Sequence, residues 1–154
     1  MSRANNKSSK ETTQSLLKQL QGTAKNKYYP IAAAAYLSLD SQDKAEIGRN
    51  IKKMQALDPQ KLESKNRVPF YGLLGNLYQK SADLEKAKEY YAKALEIDPY
   101  LPQIANNYAW MTGVEEQSVS EGGVREAIEW VRKALSKEPN NPNILDTLAA
   151  LYDR

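Results

Sequence analysis

The sequence predicts an all-α fold in which pairs of helices stack into a solenoid. Its apolar residues are mostly Ala, Leu, Ile and Tyr, with a single Phe, and this composition favours helices over strands. Pro59, Pro99 and Pro139 follow one another at intervals of 40 residues, each directly after an acidic residue. A sequence that repeats itself at such a period is typical of solenoid proteins.

The first 27 residues stand apart from the repeating part of the chain. Residues 1–10 are polar and aperiodic, and we predict a disordered basic tail there. Leu16, Leu17 and Leu20 recur at helical spacing, so residues 11–27 are predicted to form a short helix, at about 11–21, and a connector. Six Lys/Arg against one Glu give residues 1–27 a charge of 6 − 1 = +5. A solvated terminus is the simplest interpretation, and an anchor for an anionic surface is the alternative.

A first helix pair is predicted at residues 28–61. Pro30 suits the first turn of its first helix, where a missing backbone N–H costs nothing. Asp40 or Ser41 is predicted to cap the second helix, with Asp43 in its first turn. The first of the three proline stops ends this helix, because proline excludes its predecessor from the helical region.

Two further helix pairs and a last helix follow. The second pair is predicted at residues 68–80 and 83–97, separated from the first pair by six extra residues, 62–67. The third pair is predicted at residues 102–110 and 124–137, around a loop at 113–123. A final helix is predicted at residues 142–152.

The second pair carries a specific set of marker residues. Aromatic, small and apolar side chains recur at fixed places, and a proline closes the unit: Tyr71, Leu74, Gly75, Tyr78, Ala87, Tyr91, Ala94 and Pro99. This set resembles the tetratricopeptide repeat, whose period is 34 residues. The resemblance implies a right-handed α-solenoid of about three repeats, at residues 28–61, 68–101 and 102–141, plus a terminal helix at 142–154. An ordinary helical bundle with accidental periodicity is the alternative.

The neighbouring units fit the pattern less completely. The first has Ile47 where a small residue is usual, and the third fits only with six residues inserted near 115–120. Gly75 and Ala87 are small where the two helices of the second unit must approach closely. The last helix is predicted to be a cap, part of a longer array, or a surface that pairs with another chain. Residues 106–110 and 144–148 look like repeats that are common in bacterial proteins.

The sequence offers no candidate for catalysis. It contains neither His nor Cys, which excludes nucleophilic triads and the usual zinc sites. Glu115-Glu116 and Gly122-Gly123 are better interpreted as a solvated loop and a flexible turn than as metal and phosphate sites. We therefore predict a protein that is not an enzyme and uses no cofactor, metal or small-molecule substrate. The chain shows no signal peptide and no apolar stretch long enough to span a membrane, so we expect a soluble protein of unknown compartment.

The resemblance implies a concave groove lined by the first helix of each unit. The predicted groove residues are Tyr29, Tyr36, Asn76, Gln79, Lys80, Gln103, Asn106, Asn107, Trp110, Asn143 and Asp146. Amides can bond to peptide backbone, and aromatic rings supply rigid contact area; the alternative for Tyr36 and Trp110 is packing between units.

Some family members hold a carboxylate with a clamp of Asn, Lys and Arg. Asn76 and Asn107 match its amides, but Gly72, Asn143 and Asp146 stand where its cations should be, so we reject that function. The predicted function is a scaffold or adaptor that binds a partner peptide or helix in the groove. The alternative is a self-assembly module that forms homo-oligomers through its terminal helices. Nucleic-acid binding through the basic tail is the least favoured reading.

Overall fold

The computed structural model describes residues 27–114 and 120–154, and within them it contains seven α-helices and no β-strand. The helices are α1 (Tyr28–Ser38), α2 (Lys44–Gln55), α3 (Ser64–Lys80), α4 (Leu84–Ile97), α5 (Pro102–Gly113), α6 (Glu121–Lys137) and α7 (Pro142–Tyr152). A 3₁₀ turn, Pro59–Lys61, links α2 to α3. Each helix packs against the next, and α1–α3 and α5–α7 also touch. The prediction of an all-α helical repeat fold is confirmed.

Helix α2 begins later than the sequence suggested. Its N-cap is Asp43, whose carboxylate accepts a hydrogen bond from the backbone N–H of Ala45 at 2.8 Å. The predicted cap, Asp40 or Ser41, is therefore wrong. The Ser41 hydroxyl donates instead to the Glu46 carboxylate at 2.7 Å and accepts from the N–H of Asp43 at 3.1 Å. The two side chains thus accept hydrogen bonds from two backbone N–H groups at the start of α2, those of Ala45 and Asp43.

Helix α3 extends one turn further toward the N-terminus than predicted. It begins at Ser64, so Pro69 lies inside it and residues 64–67 are helical rather than a separate insertion. The buried Asn66 Nδ2 donates to the Tyr29 hydroxyl at 3.2 Å, and Arg67 Nη2 donates to the Gln60 carbonyl at 3.1 Å. These contacts with preceding elements hold the additional turn, and a reading from the repeat pattern alone could not have shown them.

The helices of the third pair are also longer than predicted. Helix α5 continues to Gly113, and α6 begins at Glu121 rather than Val124. The hydroxyl of Ser120 accepts a hydrogen bond from the N–H of Gly123 at 3.1 Å. The Gly122-Gly123 pair thus forms the first turn of a capped helix rather than a flexible turn.

Close approach of the paired helices requires glycine at two places. A Cβ atom added at Gly75 would lie 3.1 Å from Cγ of the Tyr91 ring and under 3.0 Å from two further ring carbons. A Cβ atom at Gly113 would lie 2.7 Å from the Cβ of Ala127 and under 3.0 Å from Leu151. Gly75 therefore makes room for an aromatic ring, and Gly113 for two apolar side chains.

The buried apolar residues form two clusters, and each cluster includes one buried residue from a helix of the other half. The first cluster joins α1–α4 and includes Met111 of α5. The second cluster joins α5–α7 and includes Leu95 of α4. Met111 is 1% exposed and Leu95 is 2% exposed. Each half of the array thus places one buried side chain in the core of the other half.

Some predictions fall outside the described residues. The basic tail, the helix at about 11–21 and most of its connector lie within residues 1–26, and Glu115-Glu116 lie within residues 115–119. Within the described part of the chain, no helix has the length and apolar character needed to cross a membrane.

Candidate partner-binding surface

An open groove lies between the first helices of the three units. Its volume is about 590 Å³. Its walls come from α1 and α3, and α5 adds Ile104. Among the residues that the structure describes, the lining is mostly apolar and contains no charged side chain: Tyr28, Tyr29, Ala32, Ala33, Tyr36, Asn66, Pro69, Gly72, Leu73, Asn76 and Ile104.

Three tyrosines of α1 shape one wall of the groove. Tyr28 is buried, and its ring meets that of Tyr29 edge to face with centroids 5.4 Å apart. Burial raises the pKa of Tyr28 above its ordinary value of 10.0. Tyr36 is 65% exposed and stands at the open side. The wall therefore offers apolar ring faces that partly remain in contact with water.

Gly72 of α3 leaves room for a side chain of α5 on the opposite side of the groove. A Cβ atom at Gly72 would lie 2.8 Å from Cδ1 of Ile104. The missing side chain lets Ile104 reach the groove across the boundary between two units. Any larger residue at position 72 would push this isoleucine away.

Beside the groove, three amide side chains meet the hydroxyl of Tyr91. That oxygen lies 2.7 Å from Asn76 Oδ1, 2.8 Å from Gln79 Oε1 and 3.4 Å from Asn107 Nδ2. Tyr91 belongs to α4, and its side chain crosses the layer of first helices to reach them. Burial raises the pKa of Tyr91 to about 12, so the hydroxyl keeps its proton well above the pH at which an exposed tyrosine loses it.

The predicted groove residues divide into separate groups. Tyr29, Tyr36 and Asn76 line the apolar groove, whereas Gln79 and Asn107 reach the Tyr91 hydroxyl with Asn76. Asn106 is 8% exposed, and its Oδ1 has no hydrogen-bond partner among residues 27–114 and 120–154. Trp110 is 39% exposed. The other four are exposed and do not line the apolar groove: Lys80, Gln103, Asn143 and Asp146.

Sequence reasoning missed most of the apolar lining. It selected polar and aromatic residues and passed over Ala32, Ala33, Leu73 and Ile104. A signal was available on α1, since Tyr29, Ala32, Ala33 and Tyr36 follow the spacing i, i+3, i+4, i+7 of one helix face. Ile104 could not be found in this way, because its position depends on how two units pack.

A second apolar surface lies on the outer side of α7. Leu145 is 43% exposed and Tyr152 is 62% exposed, and Ala149 between them is also exposed. The three residues follow the spacing i, i+4, i+7, so they share one face. Arg132 of α6 donates a hydrogen bond to the Tyr152 hydroxyl at 3.4 Å.

Comparison with known proteins identifies one of the helix pairs. A family model described as "Tetratricopeptide repeat" matches residues 68–100, which cover most of α3 and all of α4. No curated protein matches the chain. Repeats of this family generally mediate interactions between proteins.

Proposed function

We propose that this chain, a tetratricopeptide repeat protein, is a non-enzymatic scaffold that binds a segment of a partner protein in the groove between α1, α3 and α5. The family's general role in protein interaction supports a protein partner. The observation that carries the proposal is the groove itself, which is open and mostly apolar and, within residues 27–114 and 120–154, free of charged side chains. Recognition grooves for amphipathic helices have this character.

The lining determines which chemistry the partner must present. Burial of apolar surface contributes roughly 25 cal/mol per Å², and the alanines, leucine and isoleucine of the groove can supply it. A charged side chain would lose its hydration here without meeting an opposite charge among the described lining residues. The occupant is therefore the apolar face of a short helix or extended segment, with its polar face toward solvent.

A random-peptide display selection on the purified protein tests this proposal. Peptides selected on the unmodified protein should be rich in Leu, Ile, Phe or Met and should bind Ala33→Asp at least tenfold more weakly, because the new carboxylate would be desolvated. Ala45→Asp is the matched control, since Ala45 is exposed on α2 outside the groove. Circular dichroism establishes that both variants are folded. Peptides that bind Ala33→Asp as tightly as the control would refute the assignment of the groove.

A second candidate function rests on the outer face of α7. We infer that its exposed Leu145, Ala149 and Tyr152 support self-assembly, because exposed apolar stripes of this kind pack against other helices. Sedimentation velocity over a concentration series should then show a concentration-dependent increase in mass that Leu145→Asp abolishes. Ile97→Asp is the matched control, as Ile97 is 49% exposed on α4. A species that stays monomeric at every concentration would exclude this role.

A further inference from the structure

We propose that residues 11–26 of this same chain occupy the groove between α1, α3 and α5 when no partner is bound, and that a partner segment must displace them. These residues lie outside the described part of the chain and join α1 through Lys27. This inference rests on the proposed function of the groove and names how binding there is regulated.

Helix α1 is apolar on every side. Its residues are Tyr, Pro, Ile, Ala and Leu, with Ser38 as a small polar residue at its end. A helix of this composition is normally covered on all sides. Among the described elements it packs against α2 and α3, and Tyr36 remains 65% exposed where it lines the groove. Helix α1 therefore lacks an apolar neighbour along the groove.

The segment that precedes α1 has the residues to supply that neighbour. Leu16, Leu17 and Leu20 follow the spacing i, i+1, i+4 and would share one face of a helix. At 3.6 residues per turn, Glu11 and Lys18 would lie on the opposite face. The leucine face can thus enter a groove whose described lining is uncharged, while both charged side chains stay in water.

The lengths of the segment and of the groove agree. The lining of α1 runs from Tyr28 to Tyr36, about 12 Å along the helix axis. The three leucines would span about 6 Å, so all of them fit within this length. The connector at residues 22–26 is within the roughly two to eight residues that ordinarily join packed helices. The segment can therefore fold back beside α1 as the first arm of a helical hairpin.

The short connector makes the segment an effective competitor. A group tethered in this way is present at its site at an effective concentration in the millimolar range. A partner then meets an open groove in only a fraction of the molecules, and its apparent affinity falls by that fraction. Removing the leucine face should therefore strengthen partner binding without any change in the groove itself.

The first test needs no partner and uses the full chain. The sequence contains no Cys, so Lys18→Cys provides a single site for a nitroxide spin label. The label should broaden the backbone amide signals of Ala33 and Gly72, which line the groove. The amide of Ala149 should stay sharp, because α7 packs against α5 and α6. Equal broadening at all three positions, or none, would overturn the inference.

Two pairs of substitutions in the labelled chain show whether the leucine face makes the contact. Leu16→Gln with Leu20→Gln should remove the broadening, whereas Glu11→Gln with Ser15→Gln, on the opposite face, should retain it. A mixture of spin-labelled chains with ¹⁵N-labelled chains that carry no spin label detects contact between two copies. Broadening as strong in this mixture as within one molecule would place the segment on a second copy and contradict the proposal.

The second test uses a peptide from the display selection. It should bind the Leu16→Gln/Leu20→Gln protein about tenfold more tightly than the unmodified protein, as expected if the groove is open in about one molecule in ten. The Glu11→Gln/Ser15→Gln protein should bind it like the unmodified protein, and circular dichroism establishes that both variants are folded. Equal affinity for the two variants would refute the competition.

The Ala33→Asp variant separates this inference from the proposed function. A peptide that Ala33→Asp weakens, but that binds both glutamine variants equally, would leave the groove function intact and remove the competing segment. Label contact with Ala33, together with a failure to select any peptide sensitive to Ala33→Asp, would support the segment's position and count against partner binding in the groove.

Discussion

Replacing Gly75 by alanine adds one methyl group at the closest contact between α3 and α4. In the middle of a helix this change normally stabilises a protein, since alanine is a better helix former by about 1 kcal/mol. Here the new Cβ atom would lie 3.1 Å from Cγ of Tyr91 and under 3.0 Å from two further ring carbons. The effect of the clash therefore opposes the effect of helix propensity, and the sign of the result depends on whether the ring can move.

The ring has little freedom to move. Tyr91 is fully buried, and its hydroxyl is held by the amides of Asn76 and Gln79. Overpacking of a rigid site costs typically 1–3 kcal/mol, and the close contacts at Gly75 place it near the upper end of that range. Subtracting about 1 kcal/mol for propensity leaves a net destabilisation of about 2 kcal/mol. For a chain of this size the corresponding decrease in Tm is roughly 4–8 °C.

Thermal unfolding followed by far-UV circular dichroism measures this difference, and Gly48→Ala is the matched control. Gly48 also lies inside a helix, α2, but a Cβ atom there would meet nothing within 4 Å. Its substitution should raise Tm by the propensity effect alone. Gly75→Ala should thus lower Tm, whereas Gly48→Ala should raise it. If Gly75→Ala raised Tm as Gly48→Ala does, the claim that the Tyr91 ring is immobile would be refuted.

Three other perturbations have defined outcomes. Gly113→Ala should lower the urea midpoint by the equivalent of about 1–3 kcal/mol, because its Cβ atom would meet Leu151; an unchanged midpoint would contradict the packing described. Asp43→Ala should destabilise the protein by about 1 kcal/mol in the same assay, since it removes the bond to the N–H of Ala45, whereas Asp43→Asn should retain most of the stability. Burial raises the pKa of Tyr91 from 10.0 to about 12, so the protonated hydroxyl favours the folded state. This contribution to the free energy of unfolding is complete below pH 10 and is lost as the pH rises toward 12, because the unfolded chain releases the proton at a lower pH than the folded chain. Urea titrations between pH 9 and about 12 should therefore show a steeper loss of stability for the unmodified protein than for Tyr91→Phe, by about 2 kcal/mol in total, and parallel losses would contradict this.

The sequence alone predicted those features of the fold that depend on local pattern. Prolines and caps mark the ends of α4 and α7, and α7 has the predicted bounds, Pro142–Tyr152. The marker residues of the second unit identified the repeat that the family model matches, residues 68–100. These signals lie within a few residues of the structure they specify, so they can be read without knowing the tertiary fold.

The errors arose where tertiary contacts decide the outcome. Helix α3 gains its first turn from Asn66, which bonds to Tyr29 across 37 positions of the chain. Asn76, Gln79 and Asn107 come together because the Tyr91 side chain reaches them from α4. Helical periodicity does not predict a contact between side chains of different helices. That these amides form part of a binding surface stays a prediction. The apolar lining was overlooked because alanines on a helix are ordinarily assigned to packing.

The exchange of Met111 and Leu95 between the two apolar clusters has a consequence for how the array comes apart. If α5 detached, the core of the first half would lose Met111 and retain a void, and Leu95 would be left uncovered on α4. In a linear array such coupling between neighbours determines how far a local opening spreads. We therefore expect the amide hydrogens of the two halves to exchange with solvent at similar rates, because the two halves open as one cooperative unit rather than independently.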